Sequence, residues 1–125
     1  MNIAISNASD KPIYQQLYEQ ISAQILKGEL VSGYSLPPIR LAATELRVSI
    51  ITVKKAWEEL ERMGLIYTIT GKGCFVAVLT PMEMLQKRNQ LIKQQMELDA
   101  KYYKSFGLTL EEAFELLKEV YPHLQ

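Results

Sequence analysis

Side chains with chemical reach gather in three short stretches of the chain: Arg40, the run from Ser49 to Lys55, and Thr70-Gly71-Lys72. Ser49, Thr52, Lys54 and Lys55 stand near the start of a predicted helix. Hydroxyls and cations there can meet phosphates and base edges, and the positive helix N-terminus adds to the attraction. The far end of the same helix carries Glu58, Glu59 and Glu61, which a polyanion would repel. Thr70-Gly71-Lys72-Gly73 offers a hairpin tip with free backbone amides and one cation. The chemistry these groups suit is non-covalent grip on a phosphate backbone. No glycine-rich phosphate cradle, cysteine–histidine pair or serine–histidine–aspartate arrangement is present, so no enzyme and no cofactor are expected. One cysteine, Cys74, and one histidine, His123, cannot make a tetrahedral zinc site within one chain, so no metal is expected either. Cys74 reads as a small half-buried strand residue, and His123 as a solvated tail residue.

The elements that must position these groups follow from periodicity. Asp10-Lys11-Pro12 reads as a helix start with Asp10 as cap, and Ile13, Leu17, Ile21, Ile25 and Leu26 give one helical face that Gly28 ends. Gly33, Pro37 and Pro38 mark a loop or short extended piece. A short second helix begins near Pro38, with Leu41, Ala42 and Leu46 apolar and Arg40 projecting elsewhere. Ser49 is the predicted N-cap of a third helix, whose buried stripe is Val53, Ala56, Trp57 and Leu60 and which Gly64 ends. The period then changes to two over Leu65–Thr70 and Cys74–Val78, a hairpin turning at Gly71-Lys72-Gly73. Thr80-Pro81-Met82-Glu83 and Thr109-Leu110-Glu111-Glu112 are capping boxes that open two further helices. The first should reach Lys104 or Phe106. The second places Leu110, Ala113, Phe114, Leu117 and Tyr121 inward and stops at Pro122.

The chain has 125 residues, 48% hydrophobic and 22% charged, which suits one modest core with an appendage. Fourteen basic and fourteen acidic side chains cancel. That excludes a strongly basic nucleic-acid glue but leaves room for a local basic patch. One cysteine excludes a disulfide-stapled scaffold. The N-terminus lacks the pattern of a signal peptide, and no apolar run approaches the ~18 residues of a membrane span. A cytoplasmic protein with no membrane partner is the expectation.

Three helices followed by a two-stranded hairpin is the order of a winged helix-turn-helix, with the third helix in the DNA major groove. Residues 12–76 resemble the DNA-binding domain of the GntR family of bacterial transcription regulators. The resemblance rests on Pro12-Ile13-Tyr14-Gln15-Gln16-Leu17, Ile25-Leu26-Lys27-Gly28-Glu29-Leu30 and Leu36-Pro37-Pro38-Ile39-Arg40-Leu41-Ala42. It continues through Val48-Ser49-Ile50-Ile51-Thr52-Val53, Ala56, Leu60-Glu61-Arg62-Met63-Gly64-Leu65-Ile66 and Gly71-Lys72-Gly73-Cys74-Phe75-Val76. It implies that Arg40, Ser49, Thr52 and Lys54 face DNA, and that Gly71, flanked by Thr70 and Lys72, is the wing tip. Two departures stand out. Pro38 replaces the usual serine of the Leu-Pro-Ser motif, and Ile50 replaces an arginine. Isoleucine can touch a thymine methyl but cannot read guanine bidentately.

The expected fold is therefore mainly α with a small β-hairpin: a winged helix-turn-helix over residues 1–78 and a two-helix dimerisation tail over residues 79–125. A tail this short resembles the YtrA-like subfamily, whose tail dimerises and whose members commonly accompany genes of membrane transporters. Met84, Leu91 and Leu98 step by seven residues, and with Tyr102, Phe114 and Leu117 they are the candidate dimer residues. The implied function is a homodimeric, sequence-specific regulator of double-stranded DNA, a repressor on a palindromic operator. A winged helix used for protein interaction is the alternative. A small-molecule effector bound by the tail is compatible with the first reading.

Overall fold

The computed structural model of the chain describes residues 1–124. Five α-helices and one hairpin follow in the order α1 (Ile13–Leu26), α2 (Ile39–Leu46), α3 (Ile50–Arg62), β1 (Ile66–Ile69), β2 (Gly73–Val76), α4 (Pro81–Ser105) and α5 (Leu110–Val120). A single 3-10 turn, Tyr121–His123, ends the last helix and contains Pro122. The chain divides into two compact units, Met1–Leu85 and the residues from Gln86 on; the division falls inside α4.

The first unit is built on one core. Leu17, Ile21 and Ile25 of α1 meet Val53, Ala56, Trp57 and Leu60 of α3, with Ala42 and Ala43 of α2 and Leu65, Ile66 and Val76 of the hairpin closing it. The predicted α3 stripe is buried in full. On α2 the buried pair is Ala42 and Ala43, while Leu41 is exposed. That corrects the expected apolar face: the helix approaches the core on its alanines, and Leu41 lies outside that contact. Asp10 does not cap α1. Pro12 occupies the N-cap position without a side-chain cap, and its carbonyl accepts the first amides, from Gln15 and Gln16 at 3.1 Å each. Asp10 is two residues too far upstream to reach them. Gly28, at φ +81°, ends α1 as expected; the amides of Glu29 and Leu30 fold back onto the Gln24 carbonyl.

The hairpin pairs Ile66 with Val76 and Ile69 with Gly73 in antiparallel register. A third edge joins it from the loop before α2. The Gly33 and Leu36 amides donate to the carbonyls of Val76 and Cys74 at 2.8 and 2.9 Å, and the Val76 amide returns a bond to Tyr34. Residues 33–36 are the extended piece that Pro37 and Pro38 terminate.

The N-terminal segment, which carries no periodic signal, is tied to α1 by three glutamines. Gln24, Gln20 and Gln16 each present an amide to the backbone of Asn2, Ala4 and Ser6. Each carbonyl oxygen accepts from the arm's N–H (3.3, 2.9 and 2.8 Å), and each amino group donates to the same residue's carbonyl (2.6, 2.7 and 2.9 Å). The match is geometric. Two residues of extended chain rise about 6.6 Å and four residues of helix about 6.0 Å, so alternate residues of one meet every fourth residue of the other. Gln16 spends its second N–H on the Lys11 carbonyl at 2.9 Å, so both donors and the oxygen of this buried amide have partners. Ile3 and Ile5, the intervening residues, pack against the core.

Helices α4 and α5 are well capped. Thr80 and Glu83 exchange bonds of 3.0 and 3.1 Å across the start of α4, and Thr109 and Glu112 do the same for α5. Neither helix has a buried residue. Leu110, Phe114, Leu117 and Tyr121 are exposed rather than inward, which corrects the expected inward face. The amphipathic spacing is present, and its large apolar side chains stay exposed among the described residues. Tyr102 instead meets Phe106 and Tyr103 edge-on, with centroids 5.1 and 6.3 Å apart.

Candidate nucleic-acid interface

The site is assembled on the face of α3 that the core leaves free. Val53, Ala56, Trp57 and Leu60 point inward, so Ile50, Ile51 and Lys54, one turn apart, point outward. Ser49 caps the helix: its Oγ accepts the Thr52 amide at 3.0 Å. The two hydroxyls lie 2.7 Å apart. One of their two protons is used between them, so the pair keeps one donor for a phosphate oxygen. The first turn holds no acidic residue.

Electrostatics separate this end of α3 from the other. Arg40, Arg47, Lys54 and Lys72 form no ion pair among the described residues, whereas Lys11, Lys27 and Arg62 are paired with Glu19, Glu29 and Glu59. At the far end the Arg62 guanidinium hydrogen-bonds Glu59 and holds its carboxyl below the usual glutamate value. Glu61 accepts the Thr68 hydroxyl at 3.2 Å. The same hydroxyl is 3.4 Å from Cys74 Sγ, so the thiol is left to donate to it. Glu59 and Glu61 are thus engaged by their own chain, and the cations around the start of α3 are free for a polyanion.

Each expected site residue can now be placed. Arg40, Ser49, Ile50 and Lys54 are exposed on α2 and α3; Thr52 is half-buried beneath the cap. Thr70, Gly71 and Lys72 form the exposed hairpin tip, where the Lys72 amide donates to Ile69 at 2.9 Å and Gly71 takes φ +80°. Lys55 is engaged within the chain: its ammonium sits 4.0 Å from the Tyr14 ring centroid, a cation–π contact that joins α3 to α1. Two residues escape a reading by pattern. Arg47 lies between α2 and α3 in the left-handed conformation (φ 57°), the one non-glycine residue with positive φ among those described, and it carries an unpaired cation at the turn. Its place in the three-residue link Arg47-Val48-Ser49 was the available signal. Ile51 is 78% exposed; two consecutive isoleucines against a single buried stripe require one to face outward.

The comparisons with known proteins agree with this geometry. Residues 13–76 match the model of "Bacterial regulatory proteins, gntR family". The chain belongs to the GntR family. Its relatives include the HTH-type transcriptional repressor YtrA of Bacillus subtilis, 35% identical over 121 residues that span 94% of this chain and 91% of the relative. A GntR family transcriptional regulator from Listeria monocytogenes shares the fold with a TM-score of 0.74 at 29% identity, covering 93% of this chain and 99% of that one. The DNA-binding domain of AraR, in complex with an operator, aligns with a TM-score of 0.51 at 30% identity over 62% of this chain and 93% of that one. As a GntR chain of YtrA-like length, the protein is a winged-helix DNA-binding transcription regulator. No helix among the described residues is long and apolar enough to cross a membrane.

Proposed function

We propose that this GntR chain is a homodimeric repressor that occludes a promoter by binding a palindromic operator. The observation that carries the reading is the outward, acid-free start of α3 with the unpaired cations Arg40, Arg47 and Lys54 around it. α3 enters the major groove, with Ser49, Ile50, Thr52 and Lys54 at the bases and phosphates and Arg40 on the backbone. The wing tip, Thr70, Gly71 and Lys72, touches the flanking groove. The operator complex of the AraR domain supports this use of the fold. Genes of membrane transporters are the target class the YtrA resemblance favours, and the cytoplasm is the place of action. The domain division proposed is residues 1–78 for DNA and 79–125 for the partner copy, through Met84, Leu91, Leu98, Tyr102, Phe114 and Leu117. A two-fold dimer would set its recognition helices about 34–36 Å apart, or a multiple of that.

The test is fluorescence anisotropy of the full chain on DNA from its own upstream region, across a salt series, with random DNA as control. Affinity ~10³-fold or more above random DNA, with a steep salt slope, supports the reading. Arg40→Ala combined with Lys54→Ala should abolish that preference. Specific binding unchanged in the double variant overturns the assignment. Selection from a pool of random duplexes extends the test to distant operators. A chain that enriches none but captures a protein through the same face would be an interaction module.

A further inference from the structure

Ile50 and Ile51 are the first two residues of α3 and are 40% and 78% exposed. Neither serves the fold. The cap is made by Ser49 and Thr52, and the packing of α3 on α1 and α2 is made by Val53, Ala56, Trp57 and Leu60. A branched aliphatic pair at the tip of a capped helix is surface the chain leaves wet. Its surroundings say what covers it. Lys54 lies one turn along the same face, Arg47 stands at the preceding turn, the Ser49–Thr52 pair keeps a hydroxyl donor, and the first turn has no carboxylate. An apolar spot ringed by unpaired cations and a hydroxyl fits a surface that is anionic at its rim and apolar at its centre. In duplex DNA that is the major-groove edge of a thymine, whose C5-methyl is the apolar group displayed between two phosphate backbones.

We infer that Ile50 and Ile51 make this chain a reader of thymine methyls, so that each operator half-site carries thymines on adjacent base pairs under the start of α3. The inference rests on the DNA-binding reading above and names the bases it selects. Isoleucine offers no hydrogen bond to any base, and every base pair, T·A included, shows polar atoms in the major groove. Discrimination therefore comes from burying the thymine methyl, the apolar group that the other base edges lack.

The experiment replaces thymine by deoxyuridine, one position at a time, in the operator recovered by selection with the full chain. Deoxyuridine keeps the hydrogen-bonding edge and removes only the methyl. The unsubstituted chain should lose about fourfold in affinity for each methyl it covers, at one or two adjacent positions per half-site. Ile51→Ala should bind the thymine and deoxyuridine operators equally at the position Ile51 covers. Lys54→Ala should weaken both duplexes and keep their ratio. Because Ile51 is exposed, its variant should melt with the unsubstituted chain, which separates a contact from a folding defect. Specific operator binding that is indifferent to deoxyuridine at every position overturns the inference and leaves the DNA-binding reading standing. Failure to enrich any duplex overturns both.

Discussion

The two units of the molecule carry apolar residues at the same helical spacing and treat them in opposite ways. On α1, Leu17, Ile21 and Ile25 recur every fourth residue and are buried against α3. On α5, Leu110, Phe114 and Leu117 follow at steps of four and three, also one helical face, and Phe114 and Leu117 remain 54% and 45% exposed. Nor is the difference one of helix quality, because α5 has the fuller cap of the two. It lies in what covers the stripe. The first unit brings three helices and a hairpin to one core. The second offers two helices without a shared buried residue, too little apolar area to be covered from within.

Five variants would break or sharpen that contrast. The largest effect is expected from Phe114→Glu with Leu117→Glu. Both side chains are exposed within the chain, so the monomer loses no core. The proposed dimer should fall to half its mass in sedimentation, and operator binding should weaken about 100-fold or more as the second half-site contact becomes bimolecular. Unchanged mass would end the dimer assignment. Leu60→Ala, in the other unit, should cost about 2–5 kcal/mol by urea unfolding at any protein concentration. The corresponding Leu117→Ala should change stability only where dimers form, giving a concentration-dependent midpoint. Next comes Ser49→Ala, which removes the α3 cap and one of the paired hydroxyls. A loss of about 1 kcal/mol in stability is expected, with weaker operator binding beyond what the stability change explains. The smallest effect belongs to Glu59→Gln. The Arg62 guanidinium holds the Glu59 carboxyl lower in the folded chain than in the unfolded one. Its contribution is therefore complete above the ordinary glutamate range and lost as pH falls through the folded value. The variant should have a slightly lower urea midpoint near neutrality, and the difference should vanish in acid.

Much of the first unit was legible from spacing alone, because its partners are local. The α3 stripe, the Ser49 cap, Gly28 and the hairpin each follow from residues within a few positions of one another. What the pattern could not convey was which neighbour meets a side chain. Lys55 reads as a free cation in the sequence, whereas Tyr14, far away along the chain, lies beneath it. Leu41 fits an apolar face that the core approaches through Ala42 and Ala43 instead. The inward reading of α5 fails for the same reason on a larger scale: amphipathicity shows that a helix has a face to cover, and the covering surface is not encoded in that helix. Arg47 escapes the pattern because its importance comes from the backbone. A left-handed residue is required between α2 and α3, and the cation comes with it.

The glutamine contacts along α1 bear on how the N-terminal arm can change over generations. Within the arm, Gln16, Gln20 and Gln24 grasp the peptide groups of residues 2, 4 and 6, so nothing in those bonds depends on which side chains the arm carries there. Asn2, Ala4 and Ser6 are free to drift to almost anything except proline, which has no amide proton to give. The constraint sits instead on the helix. Glutamate at position 20 could still accept the arm's N–H but would set its charge against the Ala4 carbonyl, where the glutamine amide now donates at 2.7 Å. A descendant chain could thus rewrite residues 2, 4 and 6 heavily and keep the arm in place, provided the three amides on α1 and the core-packed Ile3 and Ile5 were inherited intact.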